Sequence, residues 1–93
     1  MKKINSIIIN SRDNVVTLTE PLVQGDTACY QNGEDIIEIT VIGEVPQFHK
    51  IAIVDIDRGK HVYKYGEVIG EALADIKKGS HVHDHNIKSP EKR

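Results

Sequence analysis

The segment DIDRGKHVYKY, which begins at Asp55, returns twenty residues later as DIKKGSHVHDH, which begins at Asp75. Both copies read D-I-x-(K/R)-G-x-H-V, a bend that feeds a strand. Aspartate shapes such a bend by accepting backbone hydrogen bonds and glycine by reaching positive φ, while isoleucine before it and valine after it are apolar anchors. A unit this short is not a solenoid repeat, which must stack at least three times. The echo therefore predicts a compact β domain whose corners reuse one solution. A fainter copy, PLVQGDTACY at 21–30, keeps the apolar pair, the glycine and the strand.

Short β-branched runs between turn signals extend this reading to the whole chain. Candidate strands are 4–9, 15–18, 27–30, 35–42, 50–54, 61–65 and 81–85, separated by turns at 13–14, 24–26, 32–34, 57–59, 64–67 and 77–79. Asn32-Gly33 is the pair suited to the positive φ angles of a tight hairpin. The segment GEALADIKKG at 70–79 is the one competitor for a helix, but it offers about two turns between glycines. It is read as a single turn or an irregular strand. The fold class expected is all-β, with at most one short helical turn, in a single domain over 1–93 that has an N-terminal strand within 1–9 and a polar tail at 88–93.

Composition narrows the function classes. Twelve basic and fourteen acidic residues leave a formal net charge of -2, with the signs mixed along the chain. That balance provides no field for a phosphate backbone, so no nucleic-acid partner is expected. One cysteine, Cys29, forms no internal disulfide and reads as a small buried apolar residue. The opening MKKINSIIIN has a three-residue apolar run, short of a signal-peptide core, and nowhere is there the ~20-residue stretch a membrane helix requires. A cytoplasmic location without membrane contact is the expectation.

The chemistry-bearing stretch is HVHDHN from residue 81, where three of the five histidines fall at alternate positions. In a regular strand His81, His83 and His85 share one face and Val82 and Asp84 the other. Aligning the repeat places His61, Tyr63 and Tyr65 on the matching face of the first copy. Residues two apart on a strand face, with Cα atoms about 6.5–7 Å apart, permit two imidazoles on one metal. A stable site still requires further ligands, and substrate lining, an interface or ordinary half-exposed positions fit the same pattern. If the strand ends at His83, Asp84 is free to turn back and orient an imidazole. No Gly-rich phosphate loop, HExxH helix or nucleophile elbow occurs.

Residues 46–87 resemble the small SAF-type domain of the altronate and galactarate dehydratase family, which includes a sulfolactate sulfo-lyase whose small subunit is a separate chain. The resemblance runs in order through Phe48-His49-Lys50-Ile51-Ala52, Asp55 to Gly59, Lys64-Tyr65-Gly66-Glu67-Val68-Ile69-Gly70, Asp75 to Gly79 and His81-Val82-His83-Asp84-His85-Asn86. DNVVTLTEPLVQGD at 13–26 is similar to a further motif of the family. Phe48 departs from the pattern, standing where the family commonly has glycine.

The resemblance implies a β-clip fold and elimination of water from an aldonate or aldarate, with divalent iron held mainly by a large dehydratase subunit. This chain would be the small subunit that completes the active site. His83, His85 and His49 are then the candidate catalytic groups, with His83 and His85 also candidate metal ligands shared with the partner. Lys50, Lys64, Tyr65, Glu67 and Asn86 are the candidates for binding the sugar-acid substrate. Two other readings of the family chemistry and fold are a sulfo-lyase small subunit acting on a sulfonated hydroxy acid, and a non-enzymatic carbohydrate-binding or assembly module. A stand-alone metal module built on His81, His83 and His85 is a further alternative.

Overall fold

The structure, a computed structural model, describes residues 3–89. Nine short strands and no helix make up the described chain: β1 (Ser6–Ile7), β2 (Val15–Leu18), β3 (Thr27–Asn32), β4 (Asp35–Thr40), β5 (Lys50–Ala52), β6 (His61–Lys64), β7 (Glu67–Ala72), β8 (His81–Val82) and β9 (Ile87–Lys88). They form an antiparallel four-stranded sheet in the order β1-β2-β5-β8, the hairpin β3-β4 and the antiparallel sheet β6-β7-β9. The domain is all-β, as the alternation of β-branched runs and turns requires, and its hairpin-rich architecture is consistent with a SAF-like β-clip.

The twenty-residue echo is a local two-fold arrangement. Ile56 and Ile76 exchange both backbone hydrogen bonds at 2.8 Å. The Asp75 carboxylate accepts the Arg58 N–H, and Asp55 accepts the Lys78 N–H. Gly59 N–H donates to Ala72 O and Gly79 N–H to Ala52 O. Each corner thus caps the other, which is why both need the aspartate and the glycine.

A second pair repeats this wiring on the other side of the sheet. Leu22 and Val45 exchange backbone bonds, Gly25 N–H donates to Val41 O, and Phe48 N–H donates to Leu18 O. The faint copy at 21–30 therefore has a partner at 44–51, where Phe48 occupies the glycine position at φ 68, in the left-handed region otherwise used by Gly25, Gly59 and Gly79. The corner shape survives the departure from glycine.

Each corner pair seats one core. Leu22 and Val45 pack with Val16, Leu18, Ala28, Tyr30, Ile39, Val41 and Ile51. Ile56 and Ile76 pack with Val15, Ala52, Val62, Ala72 and Val82. The neighbouring residues Val15 and Val16, and likewise Ile51 and Ala52, enter opposite cores, so β2 and β5 form the wall between them. Cys29 is a free, buried thiol, as expected of a small apolar residue.

Several sequence expectations are corrected. The candidate strands at 4–9, 35–42, 50–54 and 61–65 are shorter, and the one at 27–30 runs on to Asn32. The tight hairpin turn is Gly33-Glu34 rather than Asn32-Gly33, because Asn32 still pairs with Asp35. The 70–79 segment contains no helical turn; it opens inside β7 and then bends into the Ile56–Ile76 bridge. The pattern EVIGEA hid β7, since its central Gly70 weakens a strand signal. Gly70 is required because an added Cβ would stand 2.8 Å from Lys88 O on β9. Lys88, assigned to the polar tail, belongs to β9, and residues 90–93 of that tail lie outside the described residues.

The two glycines of the repeat are not equivalent in packing. A Cβ on Gly59 meets open space, whereas one on Gly79 collides with the Thr40 carbonyl. Gly59→Ala should cost about 1–2 kcal/mol, the left-handed penalty alone. Gly79→Ala should cost more than about 3 kcal/mol, since backbone strain and an immovable clash add. Urea denaturation of the two variants checks the order.

Candidate functional site: a histidine cluster beside two lysines

His49 precedes β5, and its carbonyl accepts the Leu18 N–H at 2.8 Å, which fixes where the strand begins. Antiparallel pairing of β5 with β8 sets Lys50 opposite Val82 and Ile51 opposite His81. The rings of His49 and His81 meet through this pairing: His49 Nδ1 and His81 Nε2 lie 2.9 Å apart, one donating and the other accepting according to tautomer.

The expected run of strand through His85 is corrected. β8 stops at Val82 because the Asn86 side chain takes over the backbone: its Nδ2 donates to His81 O at 2.8 Å and its Oδ1 accepts the His83 N–H at 3.0 Å. The chain turns at 83–86 instead of alternating. The rings nevertheless converge. His83 stacks on His81 at 5.5 Å with 9° between planes and lies 4.6 Å from His49. The His85 ring is 5.2 Å from that of His81.

His49, His81 and His83 each offer a nitrogen within 4.8 Å of the others, and all three are half-buried. The grouping differs from the His83–His85 pair read from the sequence: His85 stands at the exposed edge, and His81 takes the centre. Burial, the neighbouring imidazoles of His49, His85 and His83, and the Lys50 ammonium push the His81 pKa down to about 4. At neutral pH its imidazole is uncharged, the state in which a ring nitrogen ligates a metal or accepts a proton. No hydrogen bond among the described residues joins Asp84 to an imidazole, so the orienting role falls to the His49–His81 contact.

Lys50 is half-buried beside the cluster. Desolvation and the nearby Lys64 ammonium lower its pKa, and Asp84 opposes them. Two lysines close enough to repel one another are a natural receptor for a carboxylate. Lys64 stands 5.0 Å over the Tyr65 ring at the tip of the β6–β7 hairpin. Tyr65 and Gly66, at φ 60 and 74, are the two central residues of that turn, and Glu67 pairs with Lys64 across it. Tyr65 and Glu67 are exposed. The Asn86 amide is engaged by the turn it builds and positions His81 and His83.

Two positioning residues escaped the sequence reading. The buried Asp13 carboxylate accepts the N–H groups of Asn10, Tyr65 and Gly66, holding the Lys64–Tyr65 tip against the body of the domain. Asn14 donates its side-chain Nδ2 to His61 O and accepts the Tyr63 N–H. The signal for both was the D-N-V run at 13–15, seen as a motif without a geometric purpose.

The domain thus carries a half-buried imidazole cluster with Lys50 beside it and Lys64 close to Lys50. Residues 4–90 match the altronate/galactarate dehydratase SAF domain, and the chain belongs to that family. It is 40% identical to the altronate dehydratase of Escherichia coli (strain K12) over 89% of this chain and 16% of that protein. It is 31% identical to the galactarate dehydratase (L-threo-forming) of the same organism over 91% of this chain and 15% of that protein. Over 55% of this chain it is 39% identical to the (2R)-sulfolactate sulfo-lyase subunit alpha of Paracoccus pantotrophus, covering 76% of that subunit. The chain thus spans about one-sixth of the length of the dehydratases.

The lowered pKa of His81 has a stability consequence. Above about pH 6.5 the folded and unfolded chains both carry it neutral; between 6.5 and 4 only the unfolded chain takes up the proton. Stability of the metal-free chain should therefore fall as pH drops through that window and stop responding to this group below it. Urea midpoints in EDTA at pH 7.5, 5.5 and 4.5 check this, with His81→Asn flattening the part due to His81 against the background of His49, His83, His85, Lys50 and Asp84.

Proposed function

We propose that this chain acts as the small subunit or domain of a sugar-acid dehydratase and completes the active site of a large partner for β-elimination of water from an aldonate or aldarate. The observation that carries the reading is the convergence of His49, His81 and His83 beside Lys50 in a chain that belongs to the dehydratase SAF family.

The reaction requires three things: a base for the proton on the carbon next to the carboxylate, positive charge for the enolate-like intermediate, and an acid for the departing hydroxyl. A neutral imidazole of the cluster accepts the α-proton. Lys50 and Lys64 hold the carboxylate and the charge that develops on it. A protonated imidazole returns a proton to the hydroxyl as the carbon–oxygen bond breaks, so that water leaves, and the enol tautomerises to a 2-keto-3-deoxy acid. His85, at the rim of the cluster, is the remaining candidate for proton exchange with solvent.

Divalent iron is the cation proposed for this chemistry. Half-buried imidazoles with nitrogens within 4.8 Å of one another are a donor set that fits a divalent transition metal, so two of His49, His81 and His83 would hold it from this side and leave the third for proton transfer. When bound, such a cation withdraws charge from the carboxylate or the leaving hydroxyl.

One finding favours a second reading. The sulfo-lyase relative is a small chain termed subunit alpha, most of whose length is matched here. Elimination of sulfite from a sulfonated hydroxy acid uses the same α-proton removal and differs in the leaving group.

Turnover should appear only when this chain is combined with a large dehydratase partner and a divalent metal, and His83→Ala or His49→Ala should then lower kcat by about 10²–10⁴-fold. Coupled detection of the 2-keto acid from altronate or galactarate, beside sulfite release from sulfolactate, measures this. Turnover by the isolated chain, or unchanged kcat in both variants, would overturn the proposal.

A further inference from the structure

The backbone frame that carries His81 and His83 recurs in the first copy of the repeat. In the second copy, Asn86 bridges His81 O and the His83 N–H, and its own N–H donates to His83 O at 3.0 Å. In the first copy, Asn14 bridges His61 O and the Tyr63 N–H, and its own N–H donates to Tyr63 O at 3.4 Å. The two asparagines come from opposite ends of the chain and make the same three contacts. Each holds a His-Val-X triplet just after a corner glycine at φ 88 or 94.

The side chains differ. Lys60 replaces Ser80 and Tyr63 replaces His83. Val62 pairs with Gly70 where Val82 pairs with Lys50, but the register then shifts past Ile69 and sets Tyr63 opposite Val68, so no imidazole stands where His49 does in the second copy. The first copy therefore lacks the third imidazole and is not a metal cluster. Gly59, Lys60, His61 and Tyr63 instead line an open depression of ≈ 390 Å³, within the range of small-molecule sites. The His61 and Tyr63 rings stand edge to face at 6.2 Å. No hydrogen bond among the described residues engages the Lys60 ammonium, the His61 imidazole or the Tyr63 hydroxyl. Glu71, opposite His61 on β7, is 3.8 Å from Lys88, which balances its charge.

We propose that this depression is a second ligand site of the domain and takes a small hydroxy acid. Lys60 meets the carboxylate, the His61 imidazole and Tyr63 hydroxyl take ligand hydroxyls, and the ring faces cover the C–H surface of a carbon chain. A single cation with no cluster of converging backbone N–H groups suits a carboxylate better than a phosphate dianion.

Proton–nitrogen NMR of the full chain, titrated separately with galactarate, inorganic phosphate and myo-inositol in EDTA, tests this. Galactarate should give saturable shifts at Gly59, Lys60, His61, Tyr63 and the Asn14 side-chain amide. Its affinity should fall roughly tenfold in Lys60→Met, the size of one charge-assisted hydrogen bond, and also fall in Tyr63→Phe. The shifts should persist in His83→Ala. Shifts confined to His81–Asn86, an equal response to phosphate, or unchanged affinity in both Lys60→Met and Tyr63→Phe would overturn it. The measurement needs neither metal nor partner, so its failure is separable from failure of the dehydratase assay.

Discussion

The bridge between Ile56 and Ile76, with Asp55 and Asp75 each capping the other's corner, is the constraint on which the rest depends. It is reciprocal: neither corner closes its hydrogen bonds without the other. A chain this short hides only about 60–65% of its extended surface, so a core of β-branched residues needs its strands aimed by something more directional than apolar contact. Carboxylates accepting backbone N–H groups provide that direction, and the two isoleucines sit where the corners cross, at the centre of one core. The Leu22–Val45 bridge performs the same task for the other core with apolar and backbone groups.

What the sequence discloses follows from what is local. The copies at 55 and 75 are legible because the aspartate, glycine and flanking apolar residues are all present in order. The copy at 44–51 is hidden because Glu44-Val45 replaces Asp-Ile and Phe48 replaces the glycine, although the backbone still turns left-handed there. Phe48 is 70% exposed, so packing within this chain does not explain the aromatic ring. The histidine triplet is legible as a feature and illegible as a site. Alternation in a strand predicts a row of three imidazoles, whereas Asn86 ends the strand and the β5–β8 pairing brings in His49 from thirty-two residues away. Long-range register, which no local pattern encodes, decided which histidines meet.

The two copies show a division of labour between backbone and side chain. The corner and the asparagine clamp fix where a His-Val-X triplet stands, and the residues carried on it fix the chemistry. Beside β5 the triplet gathers imidazoles around a ring kept neutral by burial and by its charged neighbours; beside β7 the same backbone carries a lysine, a histidine and a tyrosine. Lys50 stands beside the first of these, Lys64 approaches Lys50 from another strand, and Asp13 holds the hairpin tip on which Lys64 sits. The cluster is thus assembled from several elements anchored by buried or clamped polar groups, the condition for a site whose groups stay put during chemistry.

The asparagine clamps also order the events of synthesis. Asn14 is made before β6, and its contacts with His61 and Tyr63 become available once β6 has emerged. Asn86 follows the triplet it holds and is among the last described residues to be made. On a ribosome, where a chain emerges from its N-terminal end, the Leu22–Val45 corners and the Asn14 clamp can close while the histidine cluster still lacks its last turn. His81 and His83 reach their fixed spacing only once Asn86 has arrived, so the imidazole cluster is among the last parts of the fold to take its shape.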